Sequence, residues 1–182
     1  MLRVIAGKYR TRHLEQPALS VTRPTMDRVK EAIFSMIQFD LENSIVLDLF
    51  SGSGALSIEA ISRGAMKAIA VEKSSEAVRV INKNIESLKI NNMSVFQSDV
   101  ITYLDRLNGM KFDFIFMDPP YKELSLYNQT LELIAKNNLL KETGLIILET
   151  SKVQEIVIPE GFTIQKQKKY GISNVLLIAN NI

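Results

Sequence analysis

Cysteine is absent from this chain and histidine occurs once, at position 13. The first absence excludes a cysteine nucleophile, a thiolate zinc site and a disulfide framework, and it fits a reducing cytoplasm. The second argues against histidine-built metal centres and Ser-His-Asp chemistry, so no metal is expected. No apolar run approaches the ~20 residues that span a bilayer, and the opening MLRVIAGKYR lacks the apolar core of a secretory signal. A soluble, cytoplasmic protein is the expectation. Internal repeats, low-complexity tracts and linkers are also missing. The 182 residues therefore read as one domain, with a basic extension over residues 1–24, extended or hairpin-like and outside the main core, and a core over 25–182.

Positive charge is present but unevenly spread. The formal net charge is +2, yet residues 1–30 carry Arg3, Lys8, Arg10, Arg12, Arg23, Arg28 and Lys30 against Glu15 and Asp27, seven against two, which leaves the remainder at −3. Clustered cations attract phosphate backbones through steering and counterion release. Arg3, Lys8, Arg10, Arg12, Arg23 and Arg28 are the candidate contacts, and His13 beside them reads as facing the same phosphates or merely exposed. Lys166, Lys168 and Lys169 form a later cluster. Both clusters also fit the lysine and arginine guards of solvated edge strands.

From residue 45 onward the hydrophobic pattern alternates strand and helix, which specifies an α/β fold with a mostly parallel sheet covered on both faces. Strands are expected at residues 45–50, 68–72, 93–97, 112–117 and 145–150. Helices are expected at 55–63, 75–88, around Tyr103 and Leu104, and at 126–137. An earlier helix buries Val29, Ala32, Ile33, Met36 and Ile37, with Thr25 as its cap. Residues 162–170 and 175–179, joined by Gly171-Ile172-Ser173-Asn174, form an antiparallel hairpin that completes the sheet.

Three stretches carry chemistry. Asp118-Pro119-Pro120-Tyr121 closes an apolar strand, so the carboxylate emerges at the strand's carboxyl end, where open parallel sheets bind ligands. The two prolines donate no backbone hydrogen bond and leave the Asp118 and Pro119 carbonyls as acceptors beside one aromatic face. That combination suits an amino group on a planar base; the same letters also describe an aspartate-capped strand end. Asp48-Leu49-Phe50-Ser51-Gly52-Ser53-Gly54 links the first strand to a helix, and its glycines admit a cofactor to the backbone. The preceding aspartate disfavours pyrophosphate and favours a cationic cofactor with an amino group, such as S-adenosylmethionine. Glu72, 24 positions after Asp48, can accept both ribose hydroxyl hydrogens. Asp99 can accept from the adenine amino group, with Val100 against the ring. Right-handed crossovers bring these strand ends together.

VLDLFSGSGALSIEA (46–60), VEK (71–73), SDV (98–100) and DPPY (118–121) resemble the motifs of class I S-adenosylmethionine-dependent methyltransferases. RVIAGKYRTRHL (3–14), TRPTMDRVKEAIFSMI (22–37), ISRGA (61–65) and FMDPPY (116–121) resemble, more narrowly, the bacterial 16S ribosomal RNA guanine-N2 methyltransferases. The resemblance covers almost the whole chain; Thr11 and Ser57 stand where relatives are expected to have glycine. It implies a Rossmann-like sheet of seven strands. It also implies cofactor contacts at Asp48, Phe50, Gly52, Gly54, Glu72, Lys73, Asp99 and Val100, and catalysis at Asp118, Pro119, Pro120 and Tyr121. Its partner would be 16S RNA in an assembled or assembling small subunit, met by a monomer with no obligate protein partner and no membrane. Two other readings stay open. A DNA adenine-N6 methyltransferase uses the same DPPY logic, although such enzymes usually carry a recognition domain for which this chain has no room. A catalytically silent RNA-binding or ribosome assembly factor could keep the fold, against which Asp48, Glu72, Asp99 and Asp118 count.

Overall fold

The computed structural model describes residues 1–18, 24–119 and 123–182, with the backbone alone at 24–26. Helix α1 (Pro24–Ile37) leads into β1 (Ile45–Leu49), α2 (Ala55–Ser62), β2 (Lys67–Glu72), α3 (Ser75–Leu88), β3 (Met93–Gln97), α4 (Val100–Arg106) and β4 (Phe112–Met117). Helix α5 (Leu124–Lys136), β5 (Leu140–Thr150), β6 (Phe162–Tyr170) and β7 (Ser173–Asn180) follow. The strands form a single sheet in the order β3-β2-β1-β4-β5-β7-β6. The first five run parallel, and β7 pairs antiparallel with both β5 and β6. Strand order reverses between β1 and β4, the switch point at which such sheets open a crevice.

Each face of the sheet is sealed by its own apolar layer. Val29, Ile33 and Phe34 of α1, Ile58 of α2 and Leu88 of α3 pack with Val46, Phe116, Ile147 and Leu177 on one side. Leu104 of α4 and Tyr127, Leu131 and Ile134 of α5 pack with Leu47, Ile115, Leu148 and Leu176 on the other. Alternation along each strand sends neighbouring residues into opposite layers. Among the described residues no helix is long and apolar enough to cross a membrane.

The amino-terminal segment departs from the expectation. It is part of the core: Leu2, Val4, Tyr9 and Leu14 are buried in the α1–α3 layer. Its two limbs are joined by bonds such as Val4 N to Arg12 O and Leu14 N to Leu2 O, with only an isolated bridge between Arg3 and His13. The physical reason is a buried ionic knot. Glu59, fully buried on α2, accepts from Ile5 N at 2.9 Å, Ala6 N at 3.0 Å and Arg63 Nε at 2.9 Å, and pairs with Lys30 Nζ at 3.3 Å. Lys30 also donates to the Arg3 carbonyl at 2.6 Å. One of the seven amino-terminal cations is therefore internal. Gly7 is required where this segment meets α2: its φ is +83°, and a Cβ would fall 1.9 Å from the Ser62 carbonyl oxygen. Thr11, where glycine was expected, holds a left-handed φ of 70°.

Strand β5 starts at Leu140 rather than 145 because Leu140 pairs with Phe112, Lys141 bonds Asp113 at 2.8 Å, and Asn180 donates to the Lys141 carbonyl at 2.8 Å. Replacing Glu59 by alanine strands buried Lys30 without its carboxylate and should cost about 3–5 kcal/mol, read by urea unfolding. The paired Glu59→Met, Lys30→Met variant should recover part of that loss, and an Ala variant as stable as the parent would contradict the knot's role.

Candidate active site

A cleft of about 420 Å³ opens at the carboxyl edge of β1, β2 and β4, within the size range of small-molecule sites. Its walls include Phe50 and Gly52 from the β1–α2 loop and Glu72 and Lys73 from the end of β2. Asp99 and Val100 from the start of α4, and Asp118 and Pro119 from the end of β4, complete them. Four strand-to-helix junctions thus bring most of the sequence-predicted side chains into one concave surface.

The loop after β1 is held by its own hydrogen bonds. Ser51 Oγ donates to the Asp48 carbonyl at 2.7 Å and lies 3.1 Å from the Val71 carbonyl. Phe50 carries a φ of 60° although it has a side chain, a strained conformation of the kind that clusters at functional sites. A Cβ at Gly52 would meet no atom within 4 Å; the backbone there borders open space that a ligand can approach closely. Gly54 serves differently. Its φ is +77°, and a Cβ would press against Ile81 at 3.1 Å, so it lets α2 start against α3 and is not itself part of the cleft wall.

The acids differ in how they are held. Glu72 accepts from Gly52 N at 2.7 Å and Ser74 N at 2.8 Å, which fixes its orientation and leaves lone pairs over for a ligand. Asp99 caps α4, accepting from Ile101 N and Thr102 N through Oδ1, while Oδ2 lies 3.9 Å from Lys73 Nζ. Asp48 is not at the surface of the cleft. It is buried beneath the loop, with Oδ2 taking a 2.7 Å hydrogen bond from Ser57 Oγ. Ser57, a departure from the expected glycine, thus supplies a donor to that carboxylate. Burial still raises Asp48 to about 7, with the Glu72 charge adding to it and Ser57 opposing it.

Asp118 is raised further, to about 8, first by burial and then by the charges of Glu149 and Asp48. Beside it the Tyr127 hydroxyl lies 3.1 Å from the Glu149 carbonyl and 3.4 Å from the Pro119 carbonyl. The Pro119 oxygen is therefore not a wholly free acceptor, as the sequence suggested, although a carbonyl has a second lone pair. Pro120 and Tyr121 lie outside the described residues. Glu123 and Leu126 also line the cleft, and neither they, Glu149 nor Tyr127 figured in the reading of the sequence. Glu149 was findable in principle, since it stands near the end of the strand beside β4.

Lys8 and Arg12 occupy a different place from the cleft. Lys8 N donates to Ser62 O at 2.7 Å and Arg12 lies 3.4 Å from Ser87 O, so both sit at the carboxyl ends of α2 and α3. Those helices run away from the cleft, and α3, with 14 residues, spans about 21 Å. Arg3, Arg10 and Arg28 are exposed, Arg28 near the start of α1, which lies at the cleft end. Arg23 is outside the described residues.

Comparison with known proteins finds relatives that match nearly the whole chain. The family described as "Conserved hypothetical protein 95" matches residues 2–179. A protein of Haemophilus influenzae named ribosomal RNA small subunit methyltransferase D is 38% identical, covering 98% of this chain and 94% of its own length. The chain belongs to this methyltransferase D family. The Escherichia coli K12 protein of that name is 32% identical over 93% of this chain and 85% of its own. Two solved structures share the fold across nearly the whole of both chains. One, an E. coli protein described as a methyltransferase, has a TM-score of 0.88 at 31% identity and covers 98% of this chain and 97% of its own. The other, an H. influenzae methylase, has a TM-score of 0.83 at 33% identity and covers 98% of each.

The raised Asp118 ties the stability of the fold to pH. The folded form holds the proton between the ordinary value of 3.8 and about 8, whereas the unfolded chain has released it. The contribution is fully present below 3.8 and is lost as pH rises towards 8. Asp118→Asn should therefore flatten the fall in melting temperature between about pH 5 and 8 and raise it at the alkaline end. A slope identical to that of the parent would mean that Asp118 is not held protonated.

Proposed function

We propose that this chain transfers the methyl group of S-adenosylmethionine to the exocyclic N2 amine of a guanine in 16S ribosomal RNA. The observation that carries the reading is the single cleft in which Asp118 and Pro119 face Glu72 and Asp99. One set of acceptors suits an amine on a planar ring, and the other suits ribose and adenine. The names of the H. influenzae and E. coli relatives supply the substrate class.

The residues fit the cofactor. Glu72, oriented by Gly52 and Ser74, would accept the ribose hydroxyls. Asp99 Oδ2, the oxygen not used for capping, would accept from the adenine amine, and buried Val100 would meet the ring. Phe50, open Gly52 and Lys73 would border the remainder, and buried Asp48 would support the loop with its negative charge. When bound, S-adenosylmethionine supplies an electrophilic methyl group and departs as a neutral thioether.

The chemistry left to the protein is positioning and electrostatics. The guanine amine is a weak nucleophile because its lone pair is delocalised into the ring. If Asp118 and the Pro119 carbonyl accept its two hydrogens, that lone pair is turned towards the methyl carbon. As the new N–C bond forms the nitrogen becomes acidic, and its proton passes to Asp118 or to water. A carboxyl raised to about 8 is well matched to receive it. Tyr127, shared between the Pro119 and Glu149 carbonyls, holds the accepting turn against β5. Tyr121 would stack on a base that has left its own stack. Arg3, Lys8, Arg10, Arg12, Arg23 and Arg28 would contact phosphates, and the separation of Arg12 from the cleft calls for an RNA that spans about 20 Å.

Labelled S-adenosylmethionine supplied in parallel with small ribosomal subunits lacking the modification, free 16S RNA and duplex DNA should mark RNA at a guanine. Label in DNA alone would overturn the substrate assignment. Asp118→Ala should abolish transfer with cofactor affinity within a few fold, measured by calorimetry. A large loss of cofactor binding would assign Asp118 to the cofactor instead. Because the accepting form is ionised, kcat/KM should rise with pH towards about 8, and Glu149→Gln, which removes a like charge, should move that limb to lower pH. Arg10→Ala with Arg12→Ala should weaken RNA binding and flatten its salt dependence.

A further inference from the structure

Strand β6 is the edge of the sheet, and its sequence FTIQKQKKY contains no acid. Residues 163–169 are exposed on both faces. Because β6 and β5 both run antiparallel to β7, β6 points the same way as β5, and its carboxyl end lies at the cleft edge. The register confirms this. Lys169 stands opposite Asn174, and Asn174 opposite Thr150, the last residue of β5. From β4, which presents Asp118, three strand spacings reach β6, about 14 Å.

The lysines are confined to that end of the strand. Phe162 to Gln165 carry no charge, while Lys166, Lys168 and Lys169 fill the half nearest the cleft. A register shift between Ile164 and Lys166 resets the alternation. Lys166 and Lys168 therefore lie across from Leu177 and Val175, on the sheet face that α1 covers, the helix on which Arg28 is exposed, and Lys169 lies on the opposite face. Among the described residues none of the three pairs with a carboxylate within 4 Å, whereas Lys73, Lys83, Lys141 and Lys152 each do. A guard against strand addition needs only one or two charges on the edge. A trio of uncompensated cations at the end nearest the cleft matches a phosphate backbone better, and disfavours an added protein strand.

We propose that Lys166, Lys168 and Lys169 form a second phosphate-contacting surface, which holds the RNA backbone flanking a nucleotide placed at Asp118. The proposal rests on the RNA-methylating reading, and binding and transfer are measured separately so that the two can fail independently. The triple Lys→Gln variant is compared with the parent and with a triple Lys→Arg variant, using 16S RNA or the small subunit, whichever the parent methylates, and 16S RNA if it methylates neither.

Loss of three contacts should lower the magnitude of the log K against log salt slope by about 2, at roughly 0.7–0.9 per phosphate. KM for RNA should rise about tenfold, with cofactor affinity within twofold by calorimetry. The Arg variant should retain the parental slope. An unchanged slope and affinity in the Gln variant, with its fold intact by circular dichroism, overturns the proposal, as does equal loss in the Arg variant. Should the parent transfer no methyl group to RNA while the slope still falls in the Gln variant, the methylation reading fails and the surface stands.

Discussion

Crowding of carboxyl groups at one sheet edge is the constraint around which this molecule is arranged. Asp48, Glu72, Asp118 and Glu149 lie at or near the ends of β1, β2, β4 and β5, neighbours at about 4.8 Å per step across a parallel sheet. The Glu72 charge raises the cost of ionising Asp48, and the charges of Glu149 and Asp48 raise that of Asp118. Glu72 is compensated by two backbone N–H groups and Asp48 by Ser57. Among the described residues nothing donates to the carboxylate of Asp118, and it is raised furthest. A cleft built this way favours whatever brings positive charge or amine hydrogens into it. The proposed sulfonium cofactor and guanine amine bring both.

Preorganisation at the cleft comes mainly from the backbone. The strained Phe50, the Ser51 hydroxyl bridging β1 and β2, and the glycine at 52 hold a loop ready for a ligand, so little ordering remains to be done on binding. Tyr127 acts similarly on the opposite wall, tying the turn after β4 to the end of β5. The amino-terminal segment is anchored by the same means at the far end of α2. There Glu59 gathers two backbone donors and two cations. The segment then climbs between α2 and α3, with Glu15 N bonded to Asn84 at 2.8 Å and Ala18 N to Glu76 at 3.0 Å. The exposed cations are thereby held by a rigid support rather than by a loose tail.

Much of this was legible in the chain itself. The bounds read from the chain match α3, β3, β4 and β6 to the residue, and β4, a short parallel strand buried on both faces, leaves no polar ambiguity within it. The ends of β5 were less clear. Gly144 reads as a break, yet it sits inside the strand because its missing Cβ lets the backbone pass Phe112 O, which a Cβ would approach to 2.9 Å. The composition of β6 against β7, lysine-rich against SNVLLIAN, already distinguishes an edge strand from an interior one. The amino-terminal segment misled for the opposite reason: its apolar residues are few and scattered among cations, and only a partner on α2 shows that they are buried.

What the sequence determined by itself is the alternation of strand and helix and the identity of the acids at the strand ends, because both follow from local pattern and from the polarity of a parallel sheet. Tertiary structure alone decided which acids face the cleft and which lie beneath it. Asp48 and Asp118 are both aspartates at strand ends, and the approach of Ser57 to one and of Glu149 to the other separates their environments. It also decided that Lys30 is internal and that Lys8 and Arg12 stand far from Asp118. Such distinctions arise from contacts between residues remote in the chain, where burial and the nearest charge, rather than residue type, set what a side chain can do.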